Sequence, residues 1–376
     1  MLELKCRTAS HSSHPHQLLP CLSSPFNLQL RRRTVLFRRI LSVQSFPDLS
    51  LNPLQWPLHS KRIRRPPRRW AKFALSAADF LYTVFLTLTL DFARALHRLL
   101  TRQRKDVRGE VVAVTGAASG LGLAMARRLA IQEGAKVVML DEANSEQAKG
   151  IREEGGFALP LKLDVACTES VQQTFLDIQN HPDLGLPEVV ICAAGIFQHA
   201  YLAETSESLM QRTLDVNLVG IFRVLQAVLG RMEERGSGQV VCTASVASWL
   251  GIQGNLAYSA AKAGLRGMLD SLRDEMRSRN SPVKLTIQYP LYTPTPLLQN
   301  YACRVRNARM LSPEETAAEC VESLLLEEEE SFHPWHTNLL CCLCKALMSE
   351  EAFRRMMDHY RVSIVRRATA NGKSHH

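Results

Sequence analysis

Residues 111–122 read VVAVTGAASGLG, and this stretch determines the kind of fold that the chain adopts. Four apolar residues, Val111 to Val114, predict a buried strand, and a helix is expected to begin at Leu121. Between them lies a tight turn with three glycines: Gly116, Gly120 and Gly122. Glycine permits a turn that a Cβ atom would block, and free amides at a helix N-terminus hold phosphate oxygens. We therefore predict a phosphate-binding turn between a strand and a helix.

A second apolar strand, Lys136–Leu140, follows the predicted helix and leads into Asp141. A carboxylate in this position accepts hydrogen bonds from an adenosine ribose and repels a 2′-phosphate. The pattern therefore indicates a dinucleotide site that favours NAD over NADP. Asp164, after the third strand, is expected either to meet the adenine edge or to cap the helix that begins at Thr168.

Strands and helices alternate from residue 108 onward, and the strands are short and almost wholly apolar. This alternation predicts an α/β fold, a doubly wound parallel sheet (Rossmann fold) with helices on both faces. The predicted strands are residues 111–115, 136–140, 157–163, 188–193, 239–243 and 284–289, and the predicted helices are residues 121–133, 145–154, 168–180, 209–234 and 258–279. We assign this domain to residues 108–311 and expect a helical C-terminal tail over residues 312–376.

Charge is unevenly distributed along the 376 residues. The formal net charge is +10, but residues 1–108 carry +15 and residues 109–376 carry −5. The basic excess therefore belongs to the N-terminal region, next to an apolar segment, which favours an anionic membrane surface over nucleic acid as its partner. The ten cysteines have no regular spacing, and the cluster near Cys341 lacks a second ligand group. We expect reduced thiols and no metal site.

The N-terminal region divides into two parts. Residues 1–60 are rich in Ser, Pro, Leu and Arg and nearly free of acid, which predicts a disordered extension or an organelle transit peptide. In residues 61–107 a basic flank precedes the apolar stretch Phe73–Phe92, which is long enough to span a bilayer or to lie in one leaflet. We expect membrane contact through residues 70–100, at the endoplasmic reticulum or a lipid droplet.

Two residues predict acid–base chemistry. Tyr258 and Lys262 are four residues apart, so on a helix they share one face. An ammonium beside a phenol stabilises tyrosinate and brings the tyrosine pKa towards the working range. Ser245, just after the fifth strand, can bind a carbonyl or alcohol oxygen. Asn217, a poor helix former inside a predicted helix, is expected either to hold a water that links Lys262 to solvent or to mark a kink.

The chain resembles the short-chain dehydrogenase/reductase family over about residues 108–300. The resemblance rests on the order and spacing of the TGAASGLG turn, Asp141, Asn217, Ser245 and the Tyr258–Lys262 pair. The resemblance implies hydride transfer to or from a nicotinamide. Tyr258 would donate or accept the proton, and Lys262 would lower its pKa and bind the nicotinamide ribose. Ser245 would orient the substrate oxygen, and Asn217 would complete a proton relay.

The cofactor-binding residues that the resemblance implies lie mainly in the turns after the strands. They are Thr115, Gly116, Ser119, Gly120, Leu121, Gly122, Asp141, Asp164, Val165, Ala194, Gly195, Tyr258, Lys262, Pro290, Thr293 and Thr295. The chain departs from the family pattern twice. Cys192 and Ala193 stand where the family usually has two asparagines, so a contact to the neighbouring strand is expected to be lost. Leu291 replaces a common glycine, so the substrate-side loop is expected to be shaped differently.

The two ends of the chain resemble one branch of the family, the membrane-anchored retinol and 17β-hydroxysteroid dehydrogenases. The shared features are an apolar anchor, a basic linker and the tail sequence SPEETAAECVESLL. They imply NAD(H)-dependent chemistry on a lipophilic alcohol or ketone, such as a retinoid, a steroid or a long-chain alcohol. The family also implies a homodimer through helices 209–234 and 258–279. The apolar stretch Trp335–Met348 is expected to form either a second membrane-touching surface or a substrate lid.

A second hypothesis comes from another class of protein. The fold would be kept and the chemistry lost, giving a catalytically weak NAD(H)-binding scaffold protein of a membrane or lipid droplet. The presence of Ser245, Tyr258 and Lys262 argues against this hypothesis. Nucleic-acid binding is not expected, because the domain is acidic and the basic runs have no interleaved aromatic residues.

Overall fold

The structure, a computed structural model, describes residues 79, 82–87, 89–90, 93, 103–142, 145–305, 310–359 and 362–366. The chain divides into two units, Met1–Val84 and Phe85–His376, and the elements below belong to the second. The predicted extension, the basic flank and much of the Phe73–Phe92 stretch lie outside the described residues. Where that stretch is described, at residues 79, 82–87 and 89–90, it is helical and exposed.

Nine strands are present in the described part of the chain. They are β1 (Val111–Thr115), β2 (Lys136–Asp141), β3 (Phe157–Lys162), β4 (Val189–Cys192), β5 (Gln239–Thr243), β6 (Lys284–Pro290), β7 (Tyr301–Val305), β8 (Glu330–His333) and β9 (Val362–Arg366). Seven of them form one sheet in the order β3-β2-β1-β4-β5-β6-β8. Every pairing in it is parallel; Val112, for example, is in register with Val137 on one side and Val189 on the other.

Helices cover both faces of the sheet, as predicted for strands that are apolar on both sides. They are α1 (Gly120–Ile131), α2 (Ser145–Glu153), α3 (Thr168–Asn180), α4 (Glu207–Leu214), α5 (Gly220–Arg235), α6 (Leu256–Ser278), α7 (Pro313–Leu325) and α8 (Glu350–His359). One apolar core lies where α1 and α7 pack, around Leu129 and Leu324. The other lies where α3, α5 and α6 pack, around Phe175, Val228 and Leu265. The doubly wound parallel sheet is therefore confirmed.

The long helix predicted over residues 209–234 is interrupted in the structure. A π-helical turn, Asp215–Val219, separates α4 from α5. The run Glu207–Arg235 is also the one helix in the described residues that is long and apolar enough to cross a membrane. Its residues Val224 and Val228 are part of the apolar core on one face of the sheet. This helix therefore belongs to the core of the domain.

The prediction of a wholly helical tail is wrong. Helix α7 begins as predicted at Ser312, whose hydroxyl accepts a hydrogen bond from Glu315 N at 3.1 Å. Strand β8 then extends the parallel sheet beside β6, and β9 pairs with β7 in an antiparallel ribbon. The polar side chains of β8 have partners on α7: Ser331 donates a hydrogen bond to the Ser323 hydroxyl at 3.1 Å, and His333 contacts Glu319 at 3.2 Å.

Gly122 is required where α1 leaves the turn. A Cβ atom at this position would collide with the carbonyl oxygen of Gly116, whereas a Cβ atom at Gly150 in α2 would meet nothing within 4 Å. We expect Gly122→Ala to lower the melting temperature and to abolish dinucleotide binding. We expect Gly150→Ala to stabilise the protein by ~0.5–1 kcal/mol, because alanine is the better helix former. Thermal denaturation and nucleotide titration measure both effects, and equal behaviour of the two variants would contradict this account of the turn.

Candidate active site

A cavity of about 820 Å³ opens at the carboxyl ends of the parallel strands. It is lined by the segments that follow β1 to β6, which is where ligands bind in open α/β sheets. All the predicted site residues except Thr115 line it. These are Gly116, Ser119, Gly120, Leu121, Gly122, Asp141, Asp164, Val165, Ala194, Gly195, Asn217, Ser245, Tyr258, Lys262, Pro290, Thr293 and Thr295. The structure thus brings together residues that are up to 179 positions apart in the sequence.

The glycine-rich turn fits a dinucleotide phosphate. Gly116 has φ +71°, and a Cβ atom there would lie 2.7 Å from the Cα atom of Ala194. The turn therefore lies directly against the end of β4. Ser119, at the N-cap of α1, makes no side-chain capping bond. The first residues of this helix, Gly120 to Gly122, line the cavity, and Ser119 does not cap their amides, which suits an anion site.

Asp141 forms a fixed negative charge beside the turn. Its carboxylate accepts hydrogen bonds from Ala118 N at 2.8 Å and from Glu142 N at 2.7 Å. Glu142 lines the cavity next to it. Asp164 accepts a bond from Ala166 N at 2.8 Å, so its carboxylate closes a local turn rather than capping α3, and it too lines the cavity.

Thr115 lies behind the cavity wall rather than in it. The residue is 1% exposed, and its hydroxyl accepts hydrogen bonds from Ala193 N at 3.1 Å and Ala194 N at 3.2 Å. These bonds join β1 to the end of β4. The loss of a contact through the replacement of the family's asparagines stays a prediction.

Tyr258 and Lys262 lie on the first two turns of α6, and both line the cavity. The ammonium of Lys262 is 5.7 Å from the centre of the Tyr258 ring and donates a hydrogen bond to the carbonyl of Thr243 at 2.8 Å. Tyr258 is also hydrogen-bonded to Ser245, whose hydroxyl accepts from Ala247 N at 3.1 Å. Strand β5 and helix α6 therefore bring the serine, tyrosine and lysine to one place.

Burial controls the ionisation of this pair. It raises the pKa of Tyr258 to about 12, and the hydrogen bond from Ser245 acts in the opposite direction. Burial lowers the pKa of Lys262 to about 8, against a smaller opposing effect of Cys242 and Cys192. In the protein alone, desolvation therefore outweighs the stabilisation of tyrosinate that was expected from the neighbouring ammonium.

Asn217 lies in the π-helical turn between α4 and α5 and is fully buried. Its amide donates to Ile196 O at 2.9 Å and to Thr213 O at 3.1 Å, and accepts from Ile196 N at 3.1 Å. A Cβ atom on Gly195 would lie 2.8 Å from the Asn217 oxygen. Asn217 thus holds the segment after β4 in place, at a π-helical turn of the helix. The water link to Lys262 stays a prediction.

The loop after β6 closes over the turn from the other side. A Cβ atom on Gly120 would lie 3.1 Å from the Cβ atom of Thr295, and the hydroxyl of Thr293 contacts that of Thr316 on α7 at 3.2 Å. Leu291, which replaces the expected glycine, donates its amide to His333 O at 2.8 Å. The substrate-side loop is therefore bound to β8 and α7.

The tail contributes to the cavity, partly through the stretch 335–348 that was expected to form a lid or a membrane surface, and partly through Met356 and Met357, which the sequence analysis missed. Five tail residues line it: His336, Thr337, Leu339, Met356 and Met357. Residues of the loop after β6, such as Leu297 and Leu298, complete an apolar end. The signal for the second part is the apolar spacing within residues 350–359, where Phe353 and Met357 pack on the core while Arg354 and Arg355 are exposed.

A family model for short chain dehydrogenases matches residues 110–304 of the chain. The match spans slightly more than half of the sequence and contains every proposed catalytic residue. The protein therefore belongs to the short-chain dehydrogenase family and is an NAD(P)-dependent oxidoreductase that acts on CH–OH groups and the corresponding ketones.

Known proteins similar to this chain include enzymes with two kinds of named substrate. The 3-hydroxyacyl-CoA dehydrogenase type-2 of Bos taurus is 35% identical over 218 residues, 54% of this chain and 80% of the relative. The epidermal retinol dehydrogenase 2 of Mus musculus is 27% identical over 245 residues, which cover 64% of this chain and 78% of the relative. The resemblance to retinol dehydrogenases is thus confirmed.

Among solved structures, a variant of actinorhodin polyketide ketoreductase with NADPH is 28% identical to the chain. It superposes with a TM-score of 0.51, covering 58% of this chain and 90% of the ketoreductase. This likeness supports the fold. Since its nicotinamide cofactor is the phosphorylated one, the comparison gives no preference for NAD.

Lys262 should lower the stability of the fold that it serves. Its pKa is about 8 in the folded protein against 10.5 normally, so between these pH values the unfolded chain binds more protons and stability rises with pH. We expect Lys262→Met to raise the melting temperature at pH 7, and we expect its advantage over the wild type to shrink between pH 8 and 10. Scanning calorimetry at several pH values measures this difference, and an advantage that grows with pH would contradict it.

Proposed function

We propose that the protein transfers a hydride between NAD(H) and a lipophilic alcohol or ketone, using Asn217, Ser245, Tyr258 and Lys262. One observation supports this most: the Tyr258 phenol lines the same cavity as the glycine-rich turn and as an apolar end built by the loop after β6 and the tail. The cavity therefore has a polar end suited to a dinucleotide and an apolar end suited to a lipid-like molecule, and the two ends meet at Tyr258.

The proposed reaction divides the work between cofactor and protein. When bound, the nicotinamide supplies a hydride acceptor or donor. In the oxidative direction Tyr258 accepts the proton of the substrate hydroxyl, and Ser245 holds the substrate oxygen through its hydroxyl. The charge of Lys262 favours the tyrosinate form, because the ammonium lies 5.7 Å from the phenol ring in surroundings where burial strengthens electrostatic interactions. Asn217 fixes the segment after β4 against which the cofactor would lie.

The charge around the cavity favours NAD over NADP. Asp141 and Glu142 place two carboxylates beside the turn, where they would repel a 2′-phosphate and where Asp141 can accept bonds from ribose hydroxyls. Among the described residues, the lysine and arginine that line the cavity are Lys262 and Arg212. Neither lies on the turn after β1 or β2, where a 2′-phosphate would be expected to sit.

The apolar end of the cavity supports a lipophilic substrate. Phe197, Leu250, Leu298 and Met357 are among its walls, which suits a molecule that is mostly hydrocarbon. A retinoid, a steroid or a long-chain alcohol has this chemistry. One of the two relatives is named for a retinol, which belongs to this group, and the other for a 3-hydroxyacyl-CoA.

Membrane contact and dimer formation complete the proposal. In the predicted anchor, the described apolar side chains Tyr82, Phe85 and Leu90 are exposed, which is consistent with contact through residues 70–100 to the endoplasmic reticulum or a lipid droplet. On α5 and α6, the exposed Phe222 and the small exposed residues Gly264 and Gly267 offer a face on which a second copy can pack closely.

Loss of the phenol should abolish turnover without changing cofactor binding. We expect Tyr258→Phe to lower kcat/KM with NAD and a long-chain alcohol by at least ~10²-fold, the scale of general acid–base catalysis. Tyr201→Phe, at an exposed tyrosine outside the cavity, serves as the matched control. Steady-state NADH formation measures both variants. Turnover by Tyr258→Phe equal to wild type would reject the mechanism, and NADH binding without turnover of any alcohol or carbonyl would favour the scaffold hypothesis.

Removal of the carboxylate at position 141 should weaken the preference for NAD over NADP. We expect Asp141→Ser to raise the ratio of kcat/KM for NADP to that for NAD by at least ~10-fold, because the repulsion of the 2′-phosphate is lost. Asp177→Ser, on the exposed side of α3, is the control and should leave the ratio unchanged. An unchanged ratio in Asp141→Ser would show that another group selects the cofactor.

A further inference from the structure

The ring of Phe197 packs against two tyrosine rings. Its centroid is 5.2 Å from that of Tyr258, with an interplanar angle of 79°, and 5.6 Å from that of Tyr301, with an angle of 87°. Both contacts are edge-to-face, an arrangement that aromatic pairs prefer. Phe197 and Tyr258 line the cavity, whereas Tyr301 is 8% exposed and does not line it. Phe197 is therefore part of the cavity wall beside the Tyr258 phenol, and Tyr301 supports it from outside the cavity.

Backbone hydrogen bonds hold the segment that carries Phe197. His199 N donates to the hydroxyl of Tyr301, the first residue of β7, at 3.1 Å. The next amide, Ala200 N, donates to Gly254 O in the loop before α6 at 2.8 Å. The segment after β4 is thus joined to β7 by one bond and to the loop before α6 by the other. A displacement of the Phe197 backbone would break these contacts.

The same segment packs closely on the residues that lead into α6. The imidazole of His199 occupies the space that a Cβ atom on Gly254 would need, and its Nδ1 atom lies 3.1 Å from Asn255 Oδ1. Asn255 is 1% exposed and precedes Tyr258 by three residues. The segment that carries Phe197 and the helix that carries Tyr258 are therefore fixed relative to each other.

A fixed ring in this place restricts the shape of the molecule that can react. A substrate oxygen that exchanges a proton with Tyr258 has to come within about 2.6–3.2 Å of the phenol oxygen. The carbon that bears this oxygen then lies near the Tyr258 ring, where one of its substituents would meet Phe197. Because a bulky group is unfavourable where the surrounding side chains cannot give way, this substituent has to be small.

We propose that Phe197 is a specificity-determining residue, which admits a hydrogen or a methyl group on one side of the reacting carbon and excludes a ring. Straight-chain primary alcohols are then better substrates than cyclic secondary alcohols. The inference rests on the proposed function and narrows its class of substrate. Among lipophilic alcohols, it selects those with an unhindered hydroxyl group at the end of an apolar chain.

The kinetic test uses the full-length chain, NAD, and a straight-chain primary and a cyclic secondary alcohol with the same number of carbon atoms. We expect the wild type to have a kcat/KM at least ~10-fold higher for the primary alcohol. Phe197→Ala should lower this ratio at least ~10-fold by admitting the cyclic alcohol, since a group of one or two methylenes in a pocket is worth about that factor. Phe197→Leu, a milder change, should give an intermediate ratio. Phe157→Ala, at an exposed phenylalanine at the start of β3, should leave the ratio unchanged.

A second measurement does not depend on turnover. The fluorescence of bound NADH reports the binding of the cyclic ketone to the protein–NADH complex, and we expect Phe197→Ala to bind this ketone at least ~10-fold more tightly than the wild type. An unchanged kcat/KM ratio in both Phe197 variants, or an unchanged affinity for the ketone, would overturn the assignment of Phe197. A wild type that binds the ketone more weakly than Phe197→Ala but oxidises neither alcohol would instead reject the proposed function.

Discussion

The buried ammonium of Lys262 is the constraint on which the site depends. Its hydrogen bond to the Thr243 carbonyl at 2.8 Å joins α6 to the end of β5, and Tyr258, one turn earlier, takes its position from the same helix. Burying a charge is unfavourable unless strong partners surround it, and burial lowers the pKa of Lys262 for the same reason. The core around α6, with Leu265 and Leu269 fully buried, has to hold the lysine in place against that cost.

The π-helical turn between α4 and α5 contributes in a related way. Asn217, which lies in it, directs its amide to both polar groups of Ile196. The π-helical turn provides that placement, and such turns often occur at functional sites. Thr115 plays a comparable part on the other side of β4, where one hydroxyl receives two backbone amides. The cavity floor is thus fixed by polar side chains that need not touch a ligand.

The sequence predicted those strands and cavity residues that are determined by neighbouring residues in the chain, and not those that depend on long-range contacts. The six strands between residues 111 and 290 were predictable, because each is a short apolar run followed by a strong turn or helix signal. Strand β8 was not, since Ser331 and His333 make it polar and only its pairing with β6 and its bonds to α7 make it a strand. The residues that line the cavity after each strand followed from parallel topology. In the tail, residues 335–348 were expected to form a lid or a membrane surface. Met356 and Met357 were not expected at the cavity, because no short-range pattern places Met357 beside a loop some 60 residues earlier.

The placement of the tail explains how one fold can keep its chemistry and vary its substrate. The glycine-rich turn and Ser245 follow strands of the central sheet, and Tyr258 and Lys262 lie on α6, which packs on the core through Leu265 and Leu269. The apolar end of the cavity is built from the loop after β6 and from residues 336–357, which contact the sheet through Leu291 and β8. Changes in these later segments alter the shape and exposure of the cavity mouth without displacing Tyr258. The residues for the family's chemistry and the residues around the substrate end of the cavity therefore lie in different parts of the chain. The tail, which contributes to the substrate end, also carries exposed tryptophan and leucine side chains.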